Sequence, residues 1–247
     1  MNSEPKVLVM AGSREAHGVV TALLSRRRPV IASLPEPERM FGALPVPTRV
    51  GSFDSAKDMM DWLQQNNVTC VVDASHAFDD DISTMAGLCC TKLGLRYLRV
   101  LRPPWTATPR DRWQHVGSVP KAMGLIPEGA RVFTNTGFAT LADYEAFVGE
   151  TLFMRQTRRN DKPAPFPFVR FIAGQPPFSQ FQEERLFEEL KVTHLICRNV
   201  GGAASMSKLL AARALQLRVL MIDRRPVAAH LPVVETVVEA LAWEANA

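Results

Sequence analysis

Three observations predict an α/β fold with mostly parallel sheets. Apolar strand-like runs alternate with helical stripes nearly throughout, short glycine-bearing turns join several of them, and 47% hydrophobic residues supply a sizeable core. Over 247 residues the pattern fits two Rossmann-like domains, expected at 1–125 and 126–247, with a ligand cleft between them. A (β/α)8 barrel would need eight regular units. The proline-punctuated stretch from Thr106 to Gly129 breaks that regularity.

In chain order, Lys6–Met10 reads as a strand, and Gly12-Ser13 turns it into a helix from about Arg14 to Ser25. Ser13 suits the N-cap and Glu15 the first turn. With one glycine here, the G-x-G-x-x-G fingerprint is absent. Pro29–Leu34 is a second strand, and it ends without the acid that grips an NAD ribose, which favours NADPH over NADH. Val50–Phe53 is a short strand. Ser55-Ala-Lys-Asp58 fits a capping box leading the stripe Ala56, Met59, Met60, Leu63. Thr69–Val72 is an apolar strand ending in Asp73-Ala-Ser-His76, where open α/β sheets place ligands. His76 suits a ligand contact or a loop residue bonded to its neighbours, and both readings stand. Asp79, Asp80 and Asp81 read as a dipole-compensated first turn. Arg96–Leu101 is a strand that Pro103-Pro104 cannot extend.

Beyond Gly129, Arg131–Thr134 restarts a strand, followed by Asn135-Thr136-Gly137 and a helix through Leu141 and Phe147. Thr151–Arg155 and Val169–Ala173 are strands on either side of a loop at Asn160–Pro167. Ser179-x-x-Gln182 is a second capping box. The most suggestive stretch is Leu195 to Ala214: a strand, the turn Asn199-Val-Gly201-Gly202-Ala-Ala, then a helix expected from Ser205 with Lys208 in its first turn. Strand, glycine turn and helix N-terminus can present bare N–H groups to an anion, with Arg198 and Lys208 flanking. The same turn also reads as a plain βα connection, and Lys208 as a residue of a solvated face. Arg218–Ile222 is the last clear strand and Pro232–Trp243 a terminal helix.

Net charge is +4 and the pI is near 9.0. That favours an anionic ligand but is too mild and scattered for nucleic acid. Cys70, Cys89, Cys90 and Cys197 form no C-x-x-C motif and no ligand set with histidine, so no metal is expected and the thiols fit a reducing cytosol. The N-terminal residues lack a signal-peptide layout, and no run nears the ~18 apolar residues of a membrane span. A cytoplasmic protein without membrane contact is expected; no feature speaks to its oligomeric state.

Six segments, in register across both halves, are similar to one family: Gly12-Ser-Arg-Glu-Ala16; Asp73-Ala-Ser-His76-Ala-Phe78; Tyr97-Leu-Arg-x-x-Arg102-Pro-Pro-Trp105; Thr136-Gly137; Gln175-x-Pro177-Phe-Ser179; and Arg198-Asn-Val-Gly201-Gly202 with Lys208. They resemble the precorrin-6A reductase family of cobalamin biosynthesis. Ala77, Arg198 and Val200 stand where the family carries proline, lysine and serine, and Asn199 where it often carries an acid. The resemblance implies an NADPH-dependent oxidoreductase that adds hydride to one carbon of a ring double bond of precorrin-6A, a macrocyclic polycarboxylate, while a proton reaches the other carbon. The product is dihydro-precorrin-6, precorrin-6B. It implies cofactor contacts at Gly12, Ser13, Arg14, Glu15, Thr136, Gly137, Gly201 and Gly202. Substrate contacts are implied at His76, Arg102, Arg198 and Lys208, and a catalytic role at Asn199, which cannot act as a carboxylate.

A short-chain dehydrogenase would need a Tyr-x-x-x-Lys pair, but Leu101 and Val148 follow the only tyrosines, Tyr97 and Tyr144, at that spacing. No G-x-S-x-G elbow supports a hydrolase. The different-class alternative is a two-lobed module that binds a small anion or nucleotide without turnover.

Overall fold

The computed structural model describes residues 4–37, 42–157 and 163–246. Its first strands and helices follow the expected alternation: β1 (Lys6–Ala11), α1 (Arg14–Ser25), β2 (Val30–Leu34), β3 (Thr48–Val50), α2 (Ala56–Gln65), β4 (Val68–Ala74), α3 (Asp80–Leu93) and β5 (Arg96–Val100). Next come β6 (Trp113–Val116), α4 (Val119–Met123), β7 (Arg131–Thr134) and a 3-10 segment (Phe138–Tyr144). The chain continues through β8 (Thr151–Gln156), β9 (Val169–Ala173), α5 (Gln180–Glu189) and β10 (His194–Arg198). A short 3-10 turn (Ala203–Ser205), α6 (Ser207–Ala214), β11 (Arg218–Ile222), β12 (Val233–Val234) and α7 (Val237–Ala245) complete it.

Two compact units result: Met1–Pro103 with Pro226–Ala247, and Pro104–Arg225. The division therefore falls elsewhere than the expected 125/126 boundary, because β6 pairs with β11 while β12 returns to pair with β5. Each unit holds a parallel six-stranded sheet, ordered β12-β5-β4-β1-β2-β3 in the first and β6-β11-β10-β7-β8-β9 in the second. Counted from β1 and from β7, five strands of each sheet follow one order; the sixth is β12, the last strand of the chain, in the first sheet and β6, which precedes β7, in the second. The second and third strands run outward from the first, and the fourth and fifth run outward on its other side. The reversal lies at β1/β4 and at β7/β10, and open parallel sheets bind ligands outside the carboxyl ends of such pairs.

In the first unit Val7, Val9, Val72 and Leu98 pack under α1 and α7, while Leu8, Met10, Val71 and Tyr97 pack under α2 and α3. The strands are apolar on both faces because helices cover both. In the second unit Phe133, Phe153, Leu195, Val219 and Met221 meet Phe187 of α5 and Leu209 of α6.

Local chemistry sets most boundaries. Ser55 caps α2 by accepting from the Asp58 N–H, and Ser179 with Gln182 forms the expected reciprocal capping box on α5. Gly94 ends α3 in the left-handed region. Several expectations are corrected. Ser13 has the extended backbone of an N-cap, yet its hydroxyl donates to Ala74 O at 2.8 Å instead of capping α1. The helix after Gly137 is 3-10, and the one after Gly202 begins at Ser207 rather than Ser205. The expected terminal helix from Pro232 is a short strand and then α7, started by a Thr236/Glu239 capping box. The expected loop at Asn160–Pro167 lies partly outside the described residues.

Candidate functional site

At the carboxyl end of β1 the chain turns through Gly12, whose φ is +154°. A Cβ there would stand 2.8 Å from His76 N, so the β1 and β4 exits touch backbone to backbone. Ser13 fastens the same contact through Ala74 O. Behind it, α1 starts with first-turn N–H groups that lack i−4 acceptors, of which Ala16 N reaches Ser13 O at 3.3 Å, and with the positive end of its dipole. Arg14 is exposed there, and Glu15 pairs with Arg102 at 3.2 Å. Arg102, expected on substrate, therefore has at least one partner within its own unit.

The β4 exit is held from below by a buried ion pair. Arg99 is 2% exposed and Asp73 0%, and they meet at 2.6 Å. The Arg99 guanidinium also donates to Ser75 Oγ at 2.5 Å and to His76 O at 2.9 Å. The Tyr97 hydroxyl donates to Asp73 Oδ2 at 2.7 Å, and burial with the Asp73 charge pushes the Tyr97 pKa far up. His76 accepts from Phe78 N at Nδ1, which in the neutral ring leaves the proton on Nε2. Tyr97 and Arg99 lie inside a motif read from the sequence, but no role was assigned to them. Their signal was a charge and a phenol inside an otherwise apolar strand.

Beside this exit is a pocket of about 450 Å³, walled by Ala11, Ser33, Ser52, Phe53, Ser75 and Asp79 among others. Ser33, at the end of β2, occupies the neighbourhood where an NAD-type site places its acid.

In the second unit Arg198 donates to Thr136 O at 2.7 Å, linking the exits of β10 and β7 as Ser13 links those of β4 and β1. Gly137, Gly201 and Gly202 all have positive φ, +91°, +69° and +80°. Thr134, Thr136 and Thr140 form a hydroxyl cluster with Tyr144, whose OH lies 2.7 Å from Thr134 Oγ1 and 2.9 Å from Thr136 Oγ1. Burial pushes the Tyr144 pKa up to about 12, so the phenol stays protonated at neutral pH.

Trp105 organises the glycine turn. Its Nε1–H donates to Gly202 O at 2.8 Å, its N–H donates to Asn199 Oδ1 at 2.7 Å, and its carbonyl accepts from Asn199 Nδ2 at 3.0 Å. Both ends of the Asn199 amide, on which a catalytic role is expected, are bonded to one stretch of backbone. Lys208 keeps only one of its two readings. It is 5% exposed, not on a solvated face; its ammonium donates to Ser205 O and lies 5.2 Å from the Trp105 ring. Burial lowers its pKa, partly offset by Cys197 and Glu183. Below it Arg155 and Glu183 form a second buried pair at 2.6 Å. Burial raises the Glu183 pKa against the pull of Arg155. Thus Gly12, Ser13, Arg14, Glu15, His76 and Arg102 belong to the first unit, and Thr136, Gly137, Arg198, Asn199, Gly201, Gly202 and Lys208 to the second.

Among the described residues no group of His, Cys, Asp and Glu could hold a metal ion, and no helix is long and apolar enough to cross a membrane.

Comparison with known proteins covers this whole arrangement. Residues 6–245 match the family model described as Precorrin-6x reductase CbiJ/CobK. The precorrin-6A reductase of Rhodobacter capsulatus is 31% identical over 98% of this chain and 96% of its own length. That of Mycobacterium tuberculosis is 30% identical over 98% of both chains, and a cobalt-precorrin-6A reductase of Priestia megaterium is 24% identical over 88% of this chain and 90% of its own. The solved structure of CobK precorrin-6A reductase superposes with a TM-score of 0.89 at 31% identity, covering 98% of this chain and 97% of that one. With twin parallel sheets and glycine turns at both strand-order reversals, the chain belongs to the CbiJ/CobK precorrin-6x reductase family.

Proposed function

We propose that this chain reduces a double bond of the precorrin-6A macrocycle with NADPH, giving precorrin-6B in the cytoplasmic route to cobalamin. The family match over residues 6–245 carries the reading. Relatives named for precorrin-6A match at 28–31% identity and the one named for cobalt-precorrin-6A at 24%, which favours the metal-free macrocycle. Four buried, unbridged cysteines suit a reducing compartment.

The first unit is the better cofactor holder. Its glycine turn opens a 12-residue helix, whereas the turn after β7 opens a 3-10 segment without an extended dipole. Backbone N–H groups of Ser13, Arg14 and Glu15 would hold the phosphates, with the Arg14 guanidinium beside them. Asp79 and Asp81 on the pocket wall repel a phosphate, which leaves that wall, with Ser33 and Ser75, to hydroxyl groups of the ligand. NADPH, when bound, supplies the hydride. Thr136, Gly137, Gly201 and Gly202 then cradle carboxylates of the substrate, where Arg198 and Lys208 supply positive charge. His76 offers an Nε2–H donor, its backbone held by Arg99.

The test is an anaerobic assay of purified protein with precorrin-6A and either nicotinamide cofactor. Expected are one NADPH oxidised per macrocycle, a product two mass units heavier, and at least tenfold tighter NADPH than NADH, about 1.4 kcal/mol. Saturable NADPH binding without consumption of either reactant would favour the binding-module reading.

A further inference from the structure

The opposite, amino edge of the second sheet carries a cavity that none of this chemistry uses. It encloses about 260 Å³ and is lined by Arg112, Gln114, Leu125, His194, Arg218 and Leu220, among others. His194 and Arg218 are the first residues of β10 and β11 and are partners in register. Arg198, at the other end of β10, is about 13 Å away along the strand. The lining contains two guanidiniums, an amide, an imidazole and no carboxylate.

His194 is the informative member. It is 7% exposed, and its Nε2 has no hydrogen-bond partner among the described residues. Its other nitrogen, Nδ1, is 2.8 Å from Thr193 Oγ1. That hydroxyl donates to Arg131 O, so it accepts from an Nδ1–H, and the neutral ring presents a bare lone pair at Nε2. A buried polar atom without a partner is costly unless something binds it. The Arg218 charge disfavours a proton on that nitrogen, whereas an anion held beside the exposed Arg112 and Arg218 would invite one.

We propose that this cavity is a binding site for a phosphate group, free or carried on a small metabolite, in which Arg112 and Arg218 hold the charge. His194 takes one proton from solvent as the anion enters and donates it from Nε2 as a hydrogen bond. Burial and, after it, the Arg218 charge disfavour a proton on the empty-site ring, since both lower its pKa. The other charged groups about it are Arg112 and, on the neighbouring β7, the Arg131–Glu150 pair, which is closed on itself. Binding therefore tightens as pH falls.

The experiment is calorimetric titration of the whole protein with inorganic phosphate and, separately, with glycerol 3-phosphate, under saturating NADPH so that the turn at Gly12 is filled. Expected are saturable binding with proton uptake, roughly tenfold tighter near pH 6 than near pH 8, and at least tenfold weaker in Arg218→Gln and in Arg112→Gln. His194→Gln keeps binding but loses the tightening at pH 6, leaving only the pH dependence of the phosphate's own second ionisation, and all three variants keep wild-type reductase rates in phosphate-free buffer. Tighter glycerol 3-phosphate than phosphate identifies an ester as the ligand; the reverse identifies the free ion. Absence of a saturable heat for both probes, or equal affinity in wild type and both arginine variants, overturns the site.

Discussion

From β1 the chain turns through Gly12 and Ser13 into a regular helix, whereas from β7 it turns through Thr136 and Gly137 into a 3-10 segment. Five strands of each sheet follow one order, yet the chemistry at the two reversals differs. In the first unit the β4 exit rests on Asp73–Arg99, a pair wholly out of water and closed by Tyr97 and Ser75. In the second the β10 exit is a glycine turn held by Trp105 and Asn199, with Lys208 buried beneath it and no carboxylate within ion-pair distance among the described residues. One fold thus provides a rigid backbone contact in one unit and a positively charged cradle in the other. Strand order alone does not decide what a reversal point binds.

The buried pairs break or support this contrast most sharply. Arg99→Met strands the Asp73 carboxylate with no water, and unfolding by urea should show a loss of about 3–5 kcal/mol. Arg155→Met should cost less, about 1–3 kcal/mol, because burial already raises the Glu183 pKa and the carboxyl can take up a proton. Equal losses would show that the two exits are held alike.

Lys208 gives a smaller effect of opposite sign. Its ammonium is held in a site that lowers its pKa, so Lys208→Met removes an unfavourable burial. Thermal denaturation should show a Tm higher by about 2–4 °C, for roughly 1 kcal/mol in a protein of this size. At the same time kcat/KM for precorrin-6A should fall about tenfold. An unchanged Tm would show that the bond to Ser205 O and the Trp105 ring offset the cost of burying the ammonium.

The smallest effect is on acid stability. The His194 pKa lies below its ordinary 6.5 in the folded chain, so below that pH the unfolded chain binds more protons and stability falls. In phosphate-free buffer His194→Gln should reduce the loss of Tm on lowering pH from about 7 to about 5. A wild type and variant that lose Tm in parallel would contradict a neutral, buried ring.

Most strands and helices were legible because apolar runs and caps such as Ser55 and Ser179 are local signals. The 3-10 turn after Gly137 was not, since its sequence also suits an α-helix. The domain boundary failed for a topological reason: β6 and β12 are short strands whose partners, β11 and β5, lie far along the chain. At the site, glycines announced themselves by composition. Arg99, Trp105 and Arg155 did not, because each acts through a partner 26, 94 or 28 residues away. The bonding of the Asn199 amide was not legible either, because its partners on Trp105 are backbone atoms, to which a sequence assigns no place.

The division of labour between the two reversals rests on which glycine turn holds the dinucleotide. Calorimetric NADPH affinity of Gly12→Ala beside Gly201→Ala, with thermal denaturation of the same samples, measures this directly. A Cβ at position 12 collides with His76 N at 2.8 Å, whereas Gly201 lies on the second unit's turn at φ +69°. Expected is an NADPH affinity at least tenfold weaker in folded Gly12→Ala, and an unchanged one in Gly201→Ala with a raised KM for precorrin-6A. Loss of NADPH binding in Gly201→Ala with wild-type binding in Gly12→Ala would contradict it.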